Sequence, residues 1–238
     1  MAELTCAIGD VHGHIDKLTA LLDLCARRAG ADARLIFIGD YVDRGPDSRA
    51  VVAHLMDLQQ RRPDRVVCLR GNHEAVVVAA AREALHTLPG DVDTALWLSD
   101  MGGGLDTLAS YGVENAAQLP AEHLDWMAAL PLFYDDGRHY FAHAGVHPDR
   151  TLAEQQEDDL VWIREPFLSH VGDFGRLVVH GHTPVRARIP ELRANRLNID
   201  TGAGYDGPLT AAIFDDRRRD PLAFLTNSGE IRLDALVS

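Results

Sequence analysis

The segment "LRGNHEA", Leu69 to Ala75, sets an amide, an imidazole and a carboxylate side by side between apolar runs. The H-E-x-x-H arrangement of zinc proteases would need a second histidine one helical turn on, and Val77 stands there instead. The partners of Asn72, His73 and Glu74 must therefore come from elsewhere. Four further segments carry metal-ligating chemistry: Gly-Asp10-Val-His12-Gly, Gly-Asp40-Tyr-Val-Asp43-Arg44-Gly, His143-Ala-Gly and Gly-His182-Thr. Each alone has an ordinary explanation. Gly-Asp is a common turn, a lone histidine is commonly a core or surface residue, and a surface Asp-Arg pair contributes under about 1 kcal/mol. Their joint recurrence sets them apart.

Each segment follows a short apolar run. "LTCAI" leads into Gly9-Asp10, "LIFI" into Gly39-Asp40, "VVCL" into Arg70-Gly71-Asn72, "YFA" into His143, and "LVV" into His180-Gly181-His182. Such runs suit buried strands, so the chemistry falls where a packed sheet fixes side-chain origins and loops admit substrate. Ile15, Leu18, Leu21, Leu22 and Cys25 share one helical face, as do Val51, Val52, Leu55 and Leu58, with Ser48 as the expected start signal of the second helix. Strands alternating with helices predict an α/β layered core. Beyond about residue 190, "RLNID", "LTAAIF", "LAFL" and "IRL" read as closely spaced strands, while roughly Glu83 to Asp136 reads as mostly helical with turns at "MGGG" and "TLASYG". Neither an internal repeat nor a linker is visible, so a single domain spanning residues 1–238 is expected.

Composition narrows the function. A net charge of −13 argues against a nucleic-acid binder, which needs a basic surface, although a bound cation would attract a small phosphorylated substrate locally. No apolar run approaches the roughly 20 residues needed to cross a bilayer, and "MAELTCAIGD" lacks the features of a signal peptide, so a cytoplasmic protein without a membrane partner is expected. Cys6, Cys25 and Cys68 show no C-x-x-C spacing and are expected as buried thiols. No sequence feature sets the oligomeric state.

In order, GD-x-HG, GD-x-VDRG, GNHE, HAG and GH-T resemble the signature of the calcineurin-like metallophosphoesterases, and within them the phosphoprotein phosphatases of bacterial and phage type. The resemblance runs from residue 9 to 183 and implies a layered αββα fold, a central β-sandwich flanked by helices. It implies two divalent metal ions, one held by Asp10 and His12, the other by Asn72, His143 and His182, with Asp40 bridging them. An oxygen and nitrogen shell without thiolates suits Mn²⁺, Fe or Zn²⁺. The family reaction is direct in-line attack of a metal-activated hydroxide on a phosphomonoester, without a phosphoenzyme. His73 would protonate the departing alkoxide, with Asp43 orienting and charging its ring. Arg44 would grip phosphate oxygens, and Arg164, in "DLVWIREPF", resembles the second arginine of this kind. Glu74 is expected as a helix-start carboxylate favoured by the helix dipole, His180 as structural, and Tyr205 either at the site mouth or packing a turn.

Other phosphatase chemistries lack their residues. The arginine six positions after a nucleophilic cysteine is replaced by His12, Ala31 and Glu74; "DVDTA" ends in Ala95 where an aspartyl-phosphate enzyme wants Thr or Val; no Walker A loop is present. The expected activity is a protein serine/threonine phosphatase acting on a phosphoprotein or small phosphorylated substrate. The alternative is a symmetrical diadenosine tetraphosphate hydrolase, a relative that tends to carry Ala-Arg at Asp43-Arg44 and Asp at Glu74. A catalytically silent metal-binding scaffold is disfavoured because no ligand or acid position is substituted. Pro184, two positions after His182, replaces a histidine frequent in the family's phosphodiesterases, which leans toward monoester chemistry.

Overall fold

The computed structural model describes residues 3–84 and 94–231. Residues 85–93, which belong to the expected helical segment and carry most of "DVDTA", and the end of "IRL" lie outside the described residues.

The first apolar run forms β1 (Leu4–Ile8), followed by α1 (Ile15–Ala29), β2 (Arg34–Phe37), α2 (Ser48–Arg61), β3 (Val66–Cys68) and α3 (Asn72–Ala84). The middle contributes α4 (Thr94–Trp97), α5 (Gly104–Tyr111) and α6 (Ala121–Ala129), then β4 (Phe133–Asp135), β5 (His139–Ala142) and α7 (Glu157–Trp162). The chain ends in β6 (Leu177–His180), β7 (Glu191–Leu192), β8 (Arg196–Asn198), β9 (Thr210–Asp215), β10 (Ala223–Thr226) and β11 (Gly229–Ile231).

These strands make two sheets, ordered β11-β10-β9-β1-β2-β3 and β4-β5-β6-β8-β7. β1, β2 and β3 run parallel, as do β5, β6 and β8; helices return the chain between β1, β2 and β3 and between β5 and β6, while a loop carrying β7 returns it between β6 and β8. The closely spaced strands expected after residue 190 do form, but they divide between the sheets: "RLNID" pairs with β6, whereas "LTAAIF" pairs antiparallel with β1. Apolar runs record alternation here only in which layer each residue faces. Cys6, Ile8 and Phe37 pack toward α1 and α2, while Ala7, Ile36 and Ile38 meet Phe141, Val179 and Leu197 of the other sheet. Tyr140, Ala142 and Val178 cover the far face against Leu160 and Val161 of α7. The arrangement is thus helix, sheet, sheet, helix, as the resemblance implies.

On α1, Leu18, Leu21 and Cys25 are buried, each apolar chain of leucine size contributing roughly 1.5–3 kcal/mol. The second helix departs from expectation in one detail. Asp47, not Ser48, is its cap, accepting from the Ala50 N–H at 2.9 Å, while the buried Ser48 hydroxyl accepts from the Asp43 N–H. The three thiols are buried and unpaired. A further apolar cluster, with Val77 and Val78 of α3, Trp97, Leu108, Tyr111 and Met127, seats α4, α5 and α6 beside the ends of the strands. No helix among the described residues is long and apolar enough to cross a membrane.

Candidate active site

Five strands deliver the site from one end of both sheets. Asp10 and His12 follow β1; Asp40, Asp43 and Arg44 follow β2; Asn72 and His73 open α3 just after β3; His143 follows β5 and His182 follows β6. The loops lock onto one another through backbone bonds. The N–H groups of Val11 and His12 donate to the Asp40 carbonyl at 2.9 and 2.8 Å, and Gly181 N–H donates to the His143 carbonyl at 2.8 Å. Asp10 Oδ2 accepts from the His182 N–H at 3.0 Å, which ties the two sheets together at the site. His12, Asp40, Asp43, Arg44 and His182 all adopt positive φ, between 47° and 71°. For non-glycine residues this left-handed backbone is uncommon and strained, and it is held only where the surroundings overdetermine it.

Glu74 supplies part of that determination and corrects the expectation for it. It does lie in the first turn of α3, but its buried carboxylate reaches outside that helix. It accepts from the N–H groups of Asp40 (2.9 Å), Tyr41 (2.8 Å) and Gly71 (3.0 Å). Its work is therefore to pin the loop after β2. Gly71 is glycine because a Cβ there would collide with the Asp40 carboxylate and backbone.

Ligand atoms of His12, Asp40 and His73, and of Asp40, His143 and His182, lie within 4.8 Å of one another in two triads that share Asp40. Asp10 belongs to neither triad, although it is buried and its Oδ1 has no hydrogen-bond partner. The tautomers are fixed from behind. His12 Nδ1 donates to the Val42 carbonyl at 2.9 Å and His143 Nδ1 to the Ile38 carbonyl at 3.0 Å, since a carbonyl can only accept. Burial holds both rings below the usual imidazole range, hence neutral, so their Nε2 atoms are bare. Those bare nitrogens face carboxylate oxygens of Asp40 at 3.6 and 3.4 Å. His12 Nε2 is also reached by the Arg44 guanidinium, but His143 Nε2 meets acceptors, Asp40 and, at 2.8 Å, Asn72 Oδ1. With the orphaned carboxylate oxygen of Asp10, these atoms make a donor set that fits cations. Burial, reinforced by Asp200 and Asp40, pushes Asp10 well above the usual carboxylate range, and burial with His143 nearby holds His182 down at about 2.

His73 differs from its neighbours. Its Nδ1 donates to Asp43 Oδ2 at 2.6 Å, and its Nε2 points into the cluster, 3.8 Å from Asp40 Oδ2. Burial would lower its pKa, but the carboxylates of Asp40 and Asp43 outweigh burial and raise it above the ordinary value. Its surroundings thus favour the protonated ring, whereas burial disfavours that form in His12, His143 and His182.

The cluster opens into a cleft of about 700 Å³ lined by Arg44, His73, Trp97, Met101, Trp162 and Arg164, among others. Arg44 lies 2.7 Å from His12 Nε2 through its Nη1 and stacks over the Tyr205 ring at 4.7 Å. Of the two readings of Tyr205 the structure favours the mouth, where the ring lines the cleft and stacks against the arginine. The exposed side chain of Arg164 lines the same cleft, and its guanidinium makes no hydrogen bond among the described residues. His180 faces away, its ring edge 4.9 Å from Phe167, and burial keeps it neutral at about 3.

Sequence reasoning missed three contributors. Trp97 and Thr107 bond the Asp43 carboxylate from 54 and 64 residues away, and no spacing rule links them. Asp200 is buried beside the cluster, its Oδ1 accepting from Gly202 N–H at 2.9 Å, and burial together with Asp40 raises it to about 7. Its signal was available: "RLNID" ends a strand in a carboxylate, as β1 and β2 do.

A fold of two facing sheets with a shared-carboxylate histidine cluster at their ends defines a metal-dependent hydrolase of phosphoric esters. Residues 5–212 match the calcineurin-like phosphoesterase family, and the chain belongs to that family. It is 34% identical over 215 residues to serine/threonine-protein phosphatase 1 of Salmonella typhimurium, covering 86% of this chain and 89% of that protein. It is 32% identical over 152 residues to the symmetrical bis(5'-nucleosyl)-tetraphosphatase of Pseudomonas fluorescens, covering 62% of this chain but 45% of that protein. The metallophosphoesterase of Sphaerobacter thermophilus has a similar fold, with a TM-score of 0.57 at 21% identity over 98% of this chain and 89% of that one.

Proposed function

We propose that this chain is a protein serine/threonine phosphatase that hydrolyses phosphomonoesters through a dinuclear metal site. The observation that carries this reading is the 2.6 Å Asp43–His73 pair, with its imidazole aimed into the ligand cluster between two arginines. In this reading Asp10 and His12 hold one divalent ion, Asn72, His143 and His182 hold the other, and Asp40 bridges them, with Mn²⁺, Fe or Zn²⁺ as the suited ions. When bound, the ions supply Lewis acidity and an activated water. Arg44 and Arg164 orient the phosphoryl group in the cleft, each offering charge-assisted bonds in fixed geometry. His73, whose protonated form its carboxylates favour, gives its Nε2 proton to the departing alkoxide. The cleft, walled in part by α4 and the turn after it, gives a folded protein substrate its access, and one domain spans the chain. Likeness to the Salmonella phosphatase over nearly the whole of both chains supports the choice of substrate.

A second reading, symmetrical hydrolysis of a dinucleoside tetraphosphate, is favoured by the half-exposed Trp162 and Tyr205 at the cleft, which offer stacking faces for a base. Side-by-side turnover of a phosphoserine peptide and diadenosine tetraphosphate with Mn²⁺ decides between them. The peptide is expected to have the higher kcat/KM, and preference for the dinucleotide would overturn the first reading.

A further inference from the structure

The Asp43 carboxylate is fully buried and receives more donors than an orienting partner of one histidine needs. Its Oδ2 accepts from His73 Nδ1 at 2.6 Å and from Trp97 Nε1 at 3.0 Å, and its Oδ1 accepts from Thr107 Oγ1 at 2.6 Å. Its own N–H is shared between Ser48 Oγ at 3.0 Å and Thr107 Oγ1 at 2.9 Å. The two hydroxyl oxygens lie 3.0 Å apart. Thr107 has one hydroxyl hydrogen and an ionised carboxylate can only accept, so that hydrogen goes to Asp43 and the Ser48 hydroxyl donates to Thr107. The bonds therefore converge on Asp43, Ser48 donating to Thr107 and Thr107 to one carboxylate oxygen, while His73 and Trp97 both donate to the other.

We propose that Trp97 and Thr107 are positioning residues for the general acid: by fixing both oxygens of Asp43, they aim His73 at the leaving group. The inference rests on the reading of His73 as the acid. Asp43 sits at φ 71°, a strained conformation that needs anchors, and these two side chains supply them. Both arrive on the same short stretch, from the end of α4 into α5. That stretch is seated by its glycines. The Gly103 carbonyl accepts from the Arg44 N–H at 3.3 Å, a Cβ on Gly103 would strike Arg44, and a Cβ on Gly104 would strike the Trp97 indole. One helical turn thus bears on both the acid and the phosphate-gripping arginine, which gives "MGGG" a purpose that turn-forming alone does not.

The test exploits the leaving group. An alkoxide needs a proton to depart, whereas 4-nitrophenolate leaves without one. Thr107→Val keeps volume and removes the hydroxyl, and Trp97→Phe keeps an aromatic ring and removes the indole N–H. On a phosphoserine peptide each is expected to lower kcat roughly 10- to 100-fold, the scale of a slightly misplaced proton donor, and to change kcat on 4-nitrophenyl phosphate by less than about threefold. Bound metal stays unchanged in both variants and KM stays unchanged in Thr107→Val, whose side chain does not line the cleft, and Thr107→Ser, which retains the hydroxyl, restores the peptide rate. His73→Asn sets the largest discrimination the acid can produce. Equal losses on both substrates, or no loss, would overturn the inference. If His73→Asn discriminates and the two variants do not, only the positioning role fails; if His73→Asn does not discriminate, the acid reading falls and takes the inference with it. Should Trp97→Phe lose metal or far-ultraviolet dichroism, the Val and Ser variants of Thr107 still decide.

Discussion

The floor of the cleft and its rim are built by opposite rules. On the floor, Asp43 and Glu74 are fully buried and each accepts at least three hydrogen bonds, while His12 and His143 have their tautomers fixed by backbone carbonyls. At the rim, Met101 is 74% exposed, Tyr205 50% and Trp162 43%, and the Arg164 guanidinium makes no hydrogen bond among the described residues. Preorganised groups stabilise developing charge because they need not reorganise during reaction, whereas loosely held side chains can follow substrates of different shape. Rate should therefore be set by the floor and substrate choice by the rim.

Substitutions graded from floor to rim can break that division. Asp40→Asn is expected to have the largest effect, losing metal and lowering kcat by about 10³-fold, since it removes several kcal/mol of charge stabilisation shared by both triads. Elemental analysis that still finds two metal equivalents would contradict the bridging role. Next, Arg44→Ala should raise KM and lower kcat together, by roughly 100-fold in kcat/KM, while Arg164→Ala should cost nearer 10-fold because its exposed side chain is screened and unsupported. Equal effects from the two arginines, read by steady-state kinetics on one substrate, would erase the distinction between floor and rim. The smallest effect is expected from Met101→Ser. It should raise KM for peptides with an apolar residue beside the phosphoserine by about threefold, consistent with loss of one partly buried apolar contact. It should leave 4-nitrophenyl phosphate turnover unchanged, and a fall in that turnover would place Met101 in the floor.

The residues gathered on the floor were largely legible from the chain because they are written in local words: a short apolar run, then a side chain with metal-ligating chemistry. Asp10, Asp40, Asn72, His143 and His182 were singled out that way, with their roles implied by the family resemblance, and the layered α/β core followed from the same runs. What was not legible depends on long-range closure. Trp97 and Thr107 meet Asp43 only because α4 and α5 fold back over the loop after β2. Glu74 looked like part of its own helix, yet its oxygens serve the neighbouring loop. Ser48 carried the composition of a cap, but Asp47 took that place once the Ser48 hydroxyl was drawn to Asp43. The division of the last strands between two sheets likewise follows from pairing partners, which no single strand specifies.

Five of the side chains that make the floor hang from left-handed backbone, at His12, Asp40, Asp43, Arg44 and His182. Each such residue disfavours the folded state by roughly 1 kcal/mol relative to glycine, so the site holds several kcal/mol of tension inside an otherwise relaxed core. Breeding this protein for heat resistance alone would reward glycine at these very positions. The hardiest descendants would keep the scaffold and forget the reaction.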